Sequence, residues 1–179
     1  KTDAMLAACA VATMGALARA WLDWTRSLAF VPSRHNWLVF WGATALALLI
    51  KGPIVPMVWG LAALVLSIRE RSLRWLAPLR PGPGLLLCLV VVLPWFVAIA
   101  LKSGGEFFAE SVGKDMLGKV GEGQEKHWGP PGLYLLLFFG TYWPAAAFAA
   151  MAVPFAWARR REPQILFLIA WILPSWLVF

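Results

Sequence analysis

The sequence contains few of the residues that bind metals or act as nucleophiles. Among its 179 residues are only two cysteines and two histidines, and 14% are charged. Cys9 and Cys88 lie inside apolar stretches at a spacing that suits neither a zinc site nor a disulfide framework, so we interpret them as small buried hydrophobic residues. There is no glycine-rich phosphate loop and no His-x-x-x-His pair. A Ser/His nucleophile therefore has no support, and no common catalytic motif is present.

Apolar residues fill most of the chain instead. Hydrophobic residues make up 61% of it, the mean hydropathy is +0.72, and there are twelve tryptophans and eleven phenylalanines. Soluble domains are only about half apolar and about a quarter charged, and aromatic residues concentrate at membrane interfaces. The composition predicts an all-α fold, a polytopic bundle of transmembrane helices. The net charge of +7 does not indicate nucleic-acid binding, because membrane topology explains the excess of arginine.

The hydropathy pattern predicts about six membrane spans. Two of them, the second and the third, are short for a hydrocarbon core that needs about 20 residues. The second span ends at Lys51-Gly-Pro53, because proline disfavours helix continuation. The turn is only a few residues long, so the second and third spans are predicted to form a tight antiparallel pair. The run Pro81-Gly-Pro-Gly84 is expected to break the chain before the fourth span. The predicted spans are residues 4–22, 37–50, 54–68, 85–101, 133–157 and a last one that begins near Gln164.

Alternate threading of these spans separates the arginines from the lysines. All ten arginines fall in one set of connections, and all six lysines fall in the other, together with six of the nine acids. The positive-inside rule makes the arginine side cytoplasmic, so we expect the chemistry on the opposite side. The arginines are Arg19, Arg26, Arg34, Arg69, Arg71, Arg74, Arg80, Arg159, Arg160 and Arg161, and the lysines are Lys1, Lys51, Lys102, Lys114, Lys119 and Lys126.

Residues 102–132 form the one long hydrophilic segment, which we predict to be a periplasmic flap. Apolar residues recur at helical spacing in its first part, which predicts an amphipathic helix lying in the membrane interface. Glu110 and Lys114 are four residues apart in that helix and can form an ion pair. The apolar positions of that helix are Phe107, Phe108, Val112, Met116, Leu117 and Val120. The glycine- and proline-rich second part holds Gln124, Glu125, Lys126 and His127. It is either a mobile flap that reaches an anionic head group or a solvated loop with incidental charges.

Two further residues on the lysine side have two interpretations each. Lys51 sits on the Lys-Gly-Pro turn, where its ammonium either snorkels to the interface or binds a phosphate. Asp3 either caps the first helix, which contributes about 1 kcal/mol, or binds an acceptor, a sugar or a cation.

Several short motifs resemble those of bacterial membrane glycosyltransferases of the C-type fold. The similarity is to the protein mannosyltransferase and aminoarabinose transferase-like group, known as glycosyltransferase family 39 or 83. It runs over nearly all of the chain in matching order. The motifs are Lys1-Thr-Asp-Ala4, Leu-Leu-Ile-Lys51-Gly-Pro53, Leu93-Pro-Trp-Phe96, Glu110-Ser-Val-Gly-Lys-Asp-Met-Leu-Gly-Lys119, Gly123-Gln-Glu-Lys-His127, Pro130-Pro-Gly-Leu-Tyr134 and Thr141-Tyr-Trp-Pro144.

The resemblance implies a glycosyltransferase of the bacterial inner membrane with its active site facing the periplasm. Such an enzyme transfers a hexosyl or pentosyl group from a polyprenyl-phosphate carrier to lipid A, a protein or another envelope acceptor. Its catalytic base is expected upstream of Lys1, so we interpret residues 1–179 as a fragment of a single transmembrane domain that lacks this base. The fragment itself is then expected to be inactive.

The resemblance also implies roles for individual residues. Lys119 and His127 would bind the carrier phosphate, with Lys51 as a weaker phosphate ligand or a structural residue, and Asp3 would be a supporting carboxylate. Relatives often have arginine at the position of Lys119. The lysine keeps the positive charge but cannot form the bidentate contact that arginine makes with a phosphate. The residues that would support the loop are Glu110, Lys114, Gln124 and Glu125.

Two other functions fit the same topology. One is a transporter or flippase segment with an extracytoplasmic gate, and the other is a non-catalytic membrane scaffold. The scarcity of intramembrane charges weighs against a proton-coupled transporter. The carboxylates on the lysine side are compatible with a bound divalent cation, although no ligand spacing in the sequence requires one.

Overall fold

The computed structural model of the chain describes residues 2–26, 35–103 and 133–178. Within these ranges the chain is helical and contains no strand, which confirms the all-α prediction. The helices are α1 (Thr2–Thr25), α2 (Asn36–Lys51), α3 (Ile54–Glu70), a 3-10 helix (Arg74–Leu79), α4 (Pro81–Ser103), α5 (Leu133–Thr141), α6 (Ala145–Ala158) and α7 (Pro163–Val178).

Two of the described helices are long and apolar enough to cross a membrane. They are Thr2–Thr25 and Pro81–Lys102. At 1.5 Å per residue each is over about 30 Å long, which matches the thickness of a hydrocarbon core. Much of α4 is exposed, including Leu86 and Val90, as expected of a helix that contacts lipid. The figure of about six spans stays a prediction. Lys102 and Ser103, predicted as the start of the flap, form the end of α4, and the rest of the flap, with the interfacial helix, lies outside the described residues.

Helix α4 begins four residues earlier than predicted. The prediction that Pro81-Gly-Pro-Gly84 breaks the chain before the span was wrong, since these residues form the first turn of α4. Proline is well tolerated in the first helical turn, where its missing N–H would have no partner in the helix. Arg80 ends the preceding 3-10 helix in a left-handed conformation, with φ of 47°, and its N–H donates to Ala77 O at 3.0 Å.

The predicted fifth span consists of two helices. Helix α5 ends at Thr141 and α6 begins at Ala145, so residues 133–157 do not form one continuous helix. Pro144 separates them, because it has no N–H to donate and disfavours helical geometry in the residue before it. Pro154, by contrast, lies inside α6.

Helices α1 and α2 form an antiparallel hairpin at the centre of the bundle. Asn36 Nδ2, at the start of α2, donates to Ala16 O of α1 at 2.9 Å. Helices α3 and α7 pack against each other and against α1. The buried core is rich in alanine, as expected where helices approach closely. The buried alanines include Ala16, Ala20, Ala45, Ala62, Ala63 and Ala170.

The bundle has two chemically different ends. We call the end that holds Asp3 and Lys51 the lysine end. Arg80 lies over the ring of Trp37 and Cys88 Sγ donates to Trp41 O, so α4 runs parallel to α2 and closes with Lys102 toward the same end. The opposite end, which we call the arginine end, includes the close of α3, the 3-10 helix and the α6–α7 turn. At this end Trp21 joins α1 to two other elements. Its Nε1–H donates to Pro163 O of α7 at 3.1 Å, and its ring packs edge-on against Trp75 of the 3-10 helix.

Candidate functional site

The candidate site at the lysine end contains an ion pair between two residues 48 positions apart in sequence. Lys51 Nζ donates to Asp3 Oδ1 at 2.8 Å. The two side chains are 52% and 76% exposed. The antiparallel packing of α1 and α2 brings them together, because it sets the first turn of α1 beside the last residue of α2. Asp3 and the Lys51-Gly-Pro53 turn therefore form one local site.

Each residue of the pair also stands at the favourable end of its helix. Asp3 is in the first turn of α1, where the helix dipole favours a negative charge. Lys51 is in the last turn of α2, where the dipole favours a positive charge. Asp3 thus lies within the helix, and its carboxylate pairs across to α2.

The Gly52 turn determines where Lys51 lies. Gly52 has φ of 74°, a conformation that glycine adopts without steric cost, and its N–H donates to Leu48 O at 3.1 Å. Pro53 then opens α3, with Met57 N–H donating to its carbonyl at 2.9 Å. Helix α2 is thereby closed immediately after Lys51, so the ammonium stands at the very end of the helix.

The pair can bind both an anion and a hydroxyl. A lysine ammonium has three N–H donors, and only Asp3 takes one of them among the described residues. The remaining donors suit phosphate oxygens, and the second oxygen of Asp3 can accept from a hydroxyl. The pair is neutral overall, however, so a phosphate held here needs further positive charge nearby.

Most of the predicted phosphate and loop residues lie outside the described ranges. The structure therefore brings together only Asp3 and Lys51 of the predicted set. The residues that fall outside are Glu110, Lys114, Lys119, Gln124, Glu125 and His127. Across residues 2–26, 35–103 and 133–178, no three His, Cys, Asp or Glu side chains are grouped to hold a metal ion.

The direct contact between Asp3 and Lys51 was not predicted from the sequence. The charge pattern placed both residues on the same side of the membrane, and each was assigned a separate role. A signal for the pair was present, because opposite charges stood at the start of one helix and the end of the next in a predicted up-down topology. A hairpin of that kind sets those two positions side by side.

We expect the Asp3–Lys51 pair to contribute little to folding stability. Exposed ion pairs typically contribute less than about 1 kcal/mol, because solvent screens them and two side chains lose freedom. Asp3→Asn and Lys51→Gln, singly and together, should each lower the free energy of unfolding in detergent by less than that amount. A double-mutant cycle measures the coupling, and a loss of several kcal/mol would show that the pair is structural.

No protein-family model matches the chain, and neither a curated protein nor a solved structure matches it. The family resemblance therefore rests on the motifs themselves, and the function is argued from the site.

Proposed function

We propose that the chain is part of a membrane glycosyltransferase that takes a sugar from a polyprenyl-phosphate carrier. The sugar goes to an envelope acceptor, either lipid A, a protein or another glycan, at the periplasmic face of the bacterial inner membrane. The observation that carries the proposal is the 2.8 Å contact between Asp3 and Lys51. It joins Asp3 and the Lys51-Gly-Pro53 turn at the lysine end, and α4, which precedes the hydrophilic segment in the sequence, closes with Lys102 and Ser103.

In this proposal Lys51 binds the carrier phosphate and Asp3 orients the ammonium. A positioned cation stabilises the charge that develops on a phosphate leaving group, which lowers the barrier to glycosyl transfer. Asp3 can in addition accept a hydrogen bond from a hydroxyl group of the sugar or the acceptor. In this proposal neither residue acts as the general base.

One lysine that is already paired with a carboxylate does not neutralise a phosphate. We therefore assign Lys119 and His127 to the same phosphate, as the resemblance implies. The described residues offer one more cation at this end, the exposed Lys102 in the last turn of α4. It is not part of the motifs, so it serves as a comparison for the effect of charge alone.

The alternative function is a transporter or flippase segment for a lipid-linked anion. The same ion pair supports it, because a bridge between two helix ends can open as a gate when an anion competes for the lysine. The two functions differ in outcome: the transferase breaks the sugar–phosphate bond, whereas the flippase leaves it intact.

The deciding experiment is transfer of radiolabelled sugar from a polyprenyl-phosphate donor by the full-length protein in membranes. We expect label on an envelope acceptor in the wild type. Lys119→Ala and His127→Ala should abolish transfer, and Lys51→Ala should reduce it by about a hundredfold, the usual scale for one lost charge-stabilising donor. Membrane insertion should be unchanged in all three.

Lys102→Ala is the matched control, since it removes one exposed lysine from the same end. Its transfer rate should stay within about twofold of wild type, because water and salt screen the exposed Lys102, which does not pair with Asp3. Near-normal transfer by both Lys119→Ala and His127→Ala would refute the phosphate assignment. Movement of intact carrier without transfer would favour the flippase.

A further inference from the structure

An open groove lies at the arginine end, away from the Asp3–Lys51 pair. It has a volume of about 720 Å³ and runs along the last turns of α3 to the start of the 3-10 helix. Its lining residues are Leu64, Ser67, Ile68, Arg71, Ser72, Leu73 and Arg74. The groove is thus formed by one continuous stretch of chain, whose sequence changes from apolar to basic within a few residues.

One part of the groove is apolar and exposed. Leu64 is 55% exposed, Ile68 is 67% exposed and Leu73 is 69% exposed. Leu64 and Ile68 are four residues apart, so they lie on the same face of α3. In water this surface would be unfavourable, whereas a lipid acyl chain lying along it would cover it.

The other part of the groove is cationic. Arg71 and Arg74 are exposed, and within the described ranges neither guanidinium forms an ion pair, whereas Arg159 pairs with Glu162 at 3.6 Å. The chain turns sharply between them: Arg71 is left-handed, with φ of 51°, and Arg74 N–H donates to Ser72 Oγ at 3.2 Å. This turn holds two guanidinium-bearing residues three positions apart at the mouth of the groove.

The rest of the arginine end is positively charged, like the part of the groove at Arg71 and Arg74. Nine of the ten arginines are described, and the only carboxylates described near them are Asp23, Glu70 and Glu162. The local potential therefore attracts anions. A guanidinium binds phosphate oxygens in a bidentate fork, which makes a phosphate the best-matched anion for Arg71 and Arg74.

We propose that this groove binds one anionic glycerophospholipid. The headgroup phosphate lies between Arg71 and Arg74, and an acyl chain lies along Leu73, Ile68 and Leu64. A phospholipid fits better than a free phosphate, because only a lipid covers the apolar part of the groove. The site is independent of the proposed glycosyl transfer, since it lies at the opposite end of the bundle.

The test uses the purified full chain in detergent, titrated with dioleoylphosphatidylglycerol and, in parallel, with dioleoylphosphatidylcholine. Native mass spectrometry measures the bound fraction. We expect preferential binding of phosphatidylglycerol, and about thirtyfold weaker binding to Arg71→Gln/Arg74→Gln, since each basic residue contributes roughly fivefold toward an anionic lipid. Ile68→Ser should weaken binding with both guanidinium groups intact.

The matched control is Arg160→Gln/Arg161→Gln, which removes the same charge from the same end but outside the groove. It should retain wild-type binding, and circular dichroism should show equal helicity in all variants. Equal binding of the two lipids, or an equal loss in the control, would overturn the proposal in favour of diffuse attraction. Displacement of the lipid by equimolar inorganic phosphate would overturn it in favour of a simple anion site.

Discussion

Replacing Trp21 with alanine should lower the free energy of unfolding by about 3–5 kcal/mol, the usual range for removing a buried tryptophan. Trp21 is only 1% exposed and packs edge-on against Trp75, with ring centroids 5.4 Å apart. Its indole N–H also donates to Pro163 O, which ties the end of α1 to the start of α7. The substitution thus removes a core side chain, an aromatic contact and a link between distant helices.

Trp24→Ala is the control for that change. Trp24 lies on the same helix but is 41% exposed, so its removal leaves little cavity and should lower stability by less than about 1 kcal/mol. Denaturant-induced unfolding in detergent, followed by circular dichroism, gives both values. Similar losses for Trp21→Ala and Trp24→Ala would contradict the packing of α1 against the 3-10 helix and α7.

Gly84→Ala should lower the free energy of unfolding by about 1–3 kcal/mol, the range for overpacked cores. A methyl group at Gly84 would overlap the indole ring of Trp41 on α2. That ring cannot easily move, because its N–H donates to Leu79 O at 2.7 Å and it packs edge-on against Phe40 and Trp59. Helices α2 and α4 would have to separate to admit the methyl group.

The sign of this effect distinguishes packing from helix propensity. Alanine is a better helix former than glycine by about 1 kcal/mol, so propensity alone predicts that Gly84→Ala stabilises α4. Gly82→Ala tests this, since Gly82 lies two residues earlier in α4 with nothing within 4 Å of the added methyl. Thermal unfolding should show Gly82→Ala unchanged or slightly stabilised. Destabilisation by both substitutions would contradict the close approach of α2 and α4.

The boundaries of several helices were predictable because local chemistry determines them. Predicted spans 37–50 and 54–68 correspond closely to α2 and α3, since Gly52 and Pro53 end one helix and begin the next whatever surrounds them. The same local reasoning failed at Pro81 and Pro144. A proline can begin a helix or interrupt one, and the sequence pattern alone does not distinguish these cases.

The sequence by itself determined the helical class and, among the described residues, the placement of the arginines away from Lys51 and Lys102, because both follow from composition and spacing along one chain. Only the tertiary structure decided which residues meet. Asp3 and Lys51 pair, Trp21 reaches Pro163, and Gly84 leaves room for the ring of Trp41. These contacts join residues far apart in the chain, and they depend on how each helix is rotated and how closely it packs. Hydropathy carries little information about either, because the apolar residues of these helices lie on exposed faces as well as in the core.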